Sequence, residues 1–410
     1  MRRRRRRRLG KMVLGTLLVA VPCRAEVWLE LDQAMARARS VAPAVVEAET
    51  AVQVARAAEV GARLPPFGNP SVEVFTGQQR HAELEVDAKL YLPWEVAGQR
   101  SARMAEASQW VSWRKLGERE SKARVVGEVV VAWGMVVISA AKVEQSLQAE
   151  QEAEKEAQWV SARYEQSAST LVDKSFAQSE TMRWAQTRAE AQTQLQMAQF
   201  RLAYLMATPT TGLPRARDQL VLPEMRAPSE QDLVRKLLEE TQLLKVIEAE
   251  SAFWRSSTER AMRERTPPLN LVFSGGRGDM GEPRFTGGLA WSIPVLRRNQ
   301  GEIARSEAER MRADALRVSL RGALEARIRS DWHVYHTARN AVLDVDTRGM
   351  PATEQLVAAA YAAWRGGKGE LVQVLIARRD LAAARMRRLD LVATAWRAYG
   401  DLVALTGERP

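Results

Sequence analysis

Residues 285–309 read FTGGLAWSIPVLRRNQGEIARSEAE, and two incompatible patterns meet inside them. Up to Ile293 the large apolar side chains share one parity: Phe285, Leu289, Trp291 and Ile293, with Thr286, Gly288, Ala290 and Ser292 on the other. Strict period two with one apolar face describes a half-buried strand. From Glu302 onward an Ala/Glu/Arg pattern describes a long polar helix. Between them Pro294, Arg297, Arg298, Asn299 and Gln300 must make a corner from strand to helix.

The same junction occurs earlier, in LYLPWEVAGQRSARMAEA at residues 90–107, with Pro93 at the matching corner. Before it, Leu84, Val86, Ala88, Leu90 and Leu92 alternate with Glu83, Glu85, Asp87, Lys89 and Tyr91. About ten residues suffice for a tilted strand to cross a bilayer. The expectation is a lipid-facing apolar side and a lumen-facing side carrying Glu83, Glu85, Asp87 and Lys89. Shorter alternating runs at 71–76 and 269–274 supply partners, giving four strands. The alternative is a pair of soluble hairpins packed on helices. Four strands alone cannot close in lipid, because an open edge leaves backbone groups unsatisfied. Membrane strands here require closure by oligomerisation.

The recurrence extends along the chain. VVEAET at 45–50 returns as VIEAES at 246–251, and Pro66 meets Pro267 at the same offset. We expect a duplicated unit: repeat 1 over 26–208, a proline-rich linker over 209–228, and repeat 2 over 229–410. Each repeat reads as helix, two strands, a very long helix, a turn and a long returning helix. The first helices are expected at 32–63 and 229–265, ended by prolines. A helix over 101–166 would be about 100 Å long, and such rods pack side by side as coiled coils. Residues 125–141, VVGEVVVAWGMVVISAA, approach a transmembrane helix in composition. With Glu128 inside and polar helix on both sides, burial between rods is the preferred reading.

The net charge of +11 first suggests nucleic acid or an anionic surface. Nine basic and no acidic residues lie within 1–25, so the rest of the chain carries only +2. A basic start, an apolar run at 12–22 and small residues up to Ala25 describe a secretory signal peptide over 1–25. Cys23, the sole cysteine, is either lipidated or removed, and no nucleic-acid partner is expected.

With NPSVEVFTG at 69–77, the corner phrases, and GELVQVLIARRDLAAARMRRLDL at 369–391, the chain resembles the TolC-like outer membrane factor family. RNQGEI at 298–303 is most similar to its CzcC-type heavy-metal cation efflux branch. The resemblance implies a mainly α fold with a small membrane β-barrel portion, closed by homotrimerisation and continued as an α-helical tunnel. It implies location in the outer membrane of a Gram-negative bacterium, and a passive duct, with metal cations as the expected cargo. Drug efflux and type I protein secretion are the alternatives, as is a periplasmic coiled-coil adaptor. Expected partners are outer membrane lipid, a periplasmic adaptor and an inner-membrane pump of the RND type. The adaptor-contacting turns map to Ser167, Ala168, Ser169 and Thr170, and to Gly366, Gly367, Lys368 and Gly369. The gate maps to Asp173, Gln373 and Ile376. Acidic residues expected there in copy two are replaced, so at most one ring, from Asp173, is predicted.

Catalytic groups are not expected. No nucleophile is paired with a base and no phosphate loop occurs. His333 and His336, near Asp331, have acceptable metal-ligand spacing, but a helix-surface role is preferred, and no cofactor is expected.

Overall fold

A computed structural model describes residues 28–77, 85–209, 212–216, 221–277 and 282–410. The signal peptide expected over 1–25, and Glu83 and Leu84 of the expected strand, lie outside these residues. A short strand β1 (Trp28–Leu29) precedes α1 (Leu31–Val41) and α2 (Pro43–Ala62). Next come β2 (Ser71–Gly77), β3 (Glu85–Trp94), the 67-residue α3 (Gln99–Glu165) and α4 (Leu171–Leu205). The second half follows β4 (Arg215–Ala216) with α5 (Glu230–Glu240), α6 (Gln242–Arg263), β5 (Leu269–Arg277) and β6 (Pro283–Trp291). It ends with α7 (Gln300–Asp344), a π-turn (Val345–Gly349), α8 (Met350–Arg365) and α9 (Leu371–Thr406).

Three expectations need correction. The single helices expected at 32–63 and 229–265 are each broken in two. Pro43 opens α2 at its first turn, where a missing N–H costs nothing, after Ala42 has left helical geometry. In the second half Thr241 makes the same break without proline. The second long rod is interrupted by the π-turn, where the Met350 N–H reaches back to the Val345 carbonyl. Pro351 follows directly; it cannot donate, and the wider turn accommodates its ring. Finally, β6 stops at Trp291, two residues before Ile293, whereas β3 runs through Pro93 to Trp94. Pro93 is thus a strand residue, in register with Asn270.

The four main strands form one antiparallel sheet in the order β2-β3-β5-β6, with β2 and β6 as its edges. In register, Val72, Leu90, Phe273 and Gly287 stand in one cross-strand row. The apolar parity of every strand therefore falls on one sheet face. That face is bare: Phe285 is 83% exposed and Leu289 67%. A soluble hairpin packed on its helices would bury this side.

The helices form a layer. Toward the sheet, α3 packs between α2 and α6, and α6 packs on α7; away from it, α3 packs between α4 and α9, and α9 on α8. Ion pairs stitch these seams. Arg260 of α6 meets Glu106 of α3 at 2.6 Å and Glu302 of α7 at 3.7 Å, while Lys142 of α3 meets Asp390 of α9 at 2.5 Å.

The apolar run of α3 lies in the main core. Val125, Val126, Val129, Val130, Trp133 and Ile138 pack with Trp396, Tyr399 and Tyr335. Of its most apolar window 61% is buried inside the protein, and Glu128 is paired with Arg124 and Arg201. Burial between rods accounts for this stretch. The linker takes part as well. Trp396 donates to the Val221 carbonyl at 3.1 Å, Tyr335 to that of Pro223, and Leu222 and Met225 pack on the core.

Candidate functional site

Chemistry of interest lies at the two ends of the rod. At the sheet end, the face opposite the apolar one carries Asp87, Lys89 and Tyr91 of β3, with Glu73 facing Lys89 in register. Glu85 occupies the same parity. Lys89 lies 3.9 Å from Asp87 and 4.9 Å from the Phe75 ring centroid. Two further charged residues stand on this face, and the strand reading above named neither. Glu73 lies in β2, and Arg284 precedes the expected start of β6 and stands opposite Gly276. The alternation of β6 extended back to residue 284 would have found Arg284.

The two corners share a device. Gly98 and Asn299, the residues before α3 and α7, both take left-handed backbone, at φ 77° and 59°. Glycine does so freely, and asparagine is among the few other residues that tolerate it. The next residue is glutamine in both. Gln99 accepts from the Ala97 N–H at 2.8 Å, and Gln300 from the Arg298 N–H at 2.9 Å. The amides then tie the corners down: Gln99 donates to the Thr266 carbonyl and Asn299 to the Ala261 carbonyl. Gln99 is almost fully buried and is a positioning residue that periodicity could not reveal.

At the far end the two turns close alike. Gln166, Ser167 and Ala168 donate to Ala162, Tyr164 and Arg163; Gly366, Gly367 and Lys368 donate to Ala362, Trp364 and Ala363. Ser167 and Gly367 both have positive φ, 55° and 68°. The hairpins touch just behind the turns, where Trp159 and Trp364 meet edge to face at 5.1 Å and Val160, Ala177 and Leu375 bury one another.

Of the gate residues, Gln373 is exposed and Ile376 half-buried. Asp173 has a structural duty. Its carboxylate accepts from Ser169, the Thr170 hydroxyl and the Thr170 N–H, while Thr170 caps the Asp173 N–H at 3.1 Å. Partial burial works against its charge, but these hydrogen bonds outweigh that and hold its pKa below the usual carboxylate value. A lowered folded value means that the stabilisation is present at neutral pH and is lost as pH falls below about 4. Asp173→Ala is expected to cost about 1 kcal/mol of local stability. Faster amide exchange over 168–174, with exchange around Val129 unchanged, would show it.

The histidines do not converge. His333 lies 3.4 Å from Glu230, and His336 packs on the Trp332 ring at 4.0 Å. Among the described residues no group of three or more His, Cys, Asp or Glu could hold a metal ion. Asp331 is pushed up to about 6 by burial and by neighbouring Asp401, against the pull of Arg327.

No protein-family model matches the chain. The cobalt-zinc-cadmium resistance protein CzcC of Cupriavidus metallidurans is 25% identical over 342 residues, 83% of this chain and 81% of CzcC. Among solved structures, the outer membrane protein VceC from Vibrio cholerae superposes with a TM-score of 0.74 at 16% identity, covering 93% of this chain and 97% of VceC. CusC, whose structures describe transmembrane channel formation, superposes with a TM-score of 0.73 at 15% identity, covering 92% and 91%. The chain has the fold of the TolC-like outer membrane channels.

Proposed function

We propose that the chain is the outer membrane channel of a tripartite efflux system, a passive duct through which an inner-membrane pump and a periplasmic adaptor export their substrate. The observation that carries this reading is the sheet. Its apolar face is bare across all four strands, its other face is charged, and it caps a helical rod of about 100 Å. Lipid on one side and an aqueous lumen on the other satisfy both faces.

We propose a homotrimer, as the family resemblance implies, and the open edges support closure by further copies of the chain. Among the described residues the outer edges of β2 and β6 have no strand partner, and the helical layer also ends openly, with Met182, Met197 and Phe200 exposed on α4 and Leu356 and Tyr361 on α8. Each protomer has one edge of each kind on each side, so a head-to-tail ring closes both layers at once. Duplication of the unit is supported by the matching corners and turns. The turns at Ser167 and Gly367 are the proposed adaptor contacts, and the proposed pump is of the RND type.

On cell fractionation the protein is expected in the outer membrane as a heat-sensitive trimer, and after purification it is expected to conduct in planar bilayers. A soluble periplasmic pool without conductance would overturn the reading. Glu73, Glu85 and Asp87 outnumber Lys89 and Arg284 on the polar face, so the pore is expected to prefer cations. With Glu83 also expected on this face, Glu85→Gln with Asp87→Asn leaves two acidic against two basic residues, and the cation preference should be lost; unchanged selectivity would count against it. Metal cations are the proposed cargo, supported by the likeness to CzcC. A strain lacking the gene should lose tolerance to cobalt, zinc or cadmium; normal tolerance would count against that cargo.

A further inference from the structure

The two corners share their backbone device but differ in what they present outward. The first is folded back on its own repeat. Glu95 donates its N–H to the Pro66 carbonyl, Gly68 donates to that of Pro93, Arg103 pairs with Glu95 at 2.6 Å, and Trp94 stacks on Phe67. The second has none of this cover. Ile293 is 73% exposed, Val295 66% and Leu296 84%. The loop is nonetheless fixed, since Arg298 donates to the Pro294 carbonyl and Gln300 to that of Leu296, each at 3.0 Å. Arg297 and Arg298 have no ion pair among the described residues.

We propose that this second corner is a lipid-binding wedge, which seats Val295 and Leu296 in the periplasm-facing leaflet of the outer membrane and sets Arg297 and Arg298 against phospholipid phosphates. The inference rests on the membrane-channel reading and adds a specific contact to it. Continuity carries it. The bare apolar face of β6, with Leu289 and Trp291, runs through Ile293 onto the wedge without an intervening charge. A fixed loop that holds three large apolar side chains outward is costly in water and favourable in hydrocarbon. Two guanidinium groups directly after them match the next layer of the bilayer, because arginine pairs well with phosphate oxygens and keeps its head at the interface. By this reading each protomer has one firm lipid anchor, while the first corner, less exposed with Trp94 at 40% and Val96 at 48%, is tied to residues 66–68.

The test uses the full chain with Cys23→Ala, carrying either Leu296→Cys or Leu289→Cys with a spin label, in vesicles with or without phosphatidylglycerol. Both labels are expected to be accessible to oxygen and shielded from a water-soluble nickel chelate, with the label at 296 at headgroup depth. Arg297→Gln with Arg298→Gln should raise nickel accessibility at 296 several-fold in phosphatidylglycerol vesicles and leave 289 unchanged. A nickel-exposed label at 296 beside a shielded one at 289 overturns the wedge alone, as does an arginine double variant without effect. Exposure of both labels to water overturns the membrane reading itself.

Discussion

Gly127→Val is expected to remove more than about 3 kcal/mol of stability, enough to prevent assembly of a stable channel. Gly127 lies in the buried run of α3, and a Cβ there would sit 2.4 Å from the Ala404 Cβ and 2.6 Å from the Ala404 Cα and N. The obstacle is α9 backbone rather than a flexible side chain, so α3 and α9 must separate. Gly400 on α9 is equally tight, 2.4 Å from Val131 Cγ2 and 3.1 Å from the Gly127 carbonyl. Parting the helices here would open the core around Trp133 and Trp396, whose rings lie 5.5 Å apart. The small gain in helix propensity on removing glycine, a few tenths of a kcal/mol, cannot compensate. Gly117 in the same helix is the control. A Cβ there meets nothing within 4 Å, and Gly117→Ala should stabilise by about 0.5–1 kcal/mol. Thermal unfolding followed by circular dichroism separates the two, and equal midpoints would refute close α3–α9 packing.

These glycines also show where sequence reading stops. The apolar run at 125–141 is legible as a helix needing cover, but whether lipid or protein covers it depends on α9, some 270 residues away in the chain. Periodicity reports that a face is buried and not against what. The strands were legible for the opposite reason, because alternation alone defines both faces of a sheet. The tip was partly legible: Thr170 and Asp173 have capping-box spacing, yet only the structure shows that the carboxylate is engaged by its own turn. Gln99 and Asn299 were harder. Their contribution is a side-chain hydrogen bond to a distant carbonyl, and such bonds follow from tertiary placement rather than local pattern. The break at Thr241 carries no proline to announce it, and the π-turn before Pro351 interrupts a pattern that otherwise reads as one helix.

The proposed lipid face yields the second large effect, in two substitutions one residue apart. Phe273 stands at the middle of β5, on the bare apolar side between Leu90 and Gly287. In the proposed channel an arginine there lies near the bilayer midplane, where it costs about 2–4 kcal/mol per chain, and the proposed trimer bears that cost three times. Phe273→Arg should therefore abolish the heat-sensitive assembly in the outer membrane. Val272 is its neighbour on the other parity, opposite Tyr91 and Gly288, and a Cβ on Gly288 meets nothing within 4 Å. Val272→Arg places its charge beside water and Glu73's face of the sheet, so assembly should survive. Its signature should be electrical instead, a pore less selective for cations in planar bilayers. If the sheet were a water-exposed hairpin, Phe273 at 53% exposure would be the more tolerant of the two positions. The order of the two effects thus decides which solvent the apolar face meets, independently of any likeness to other channels.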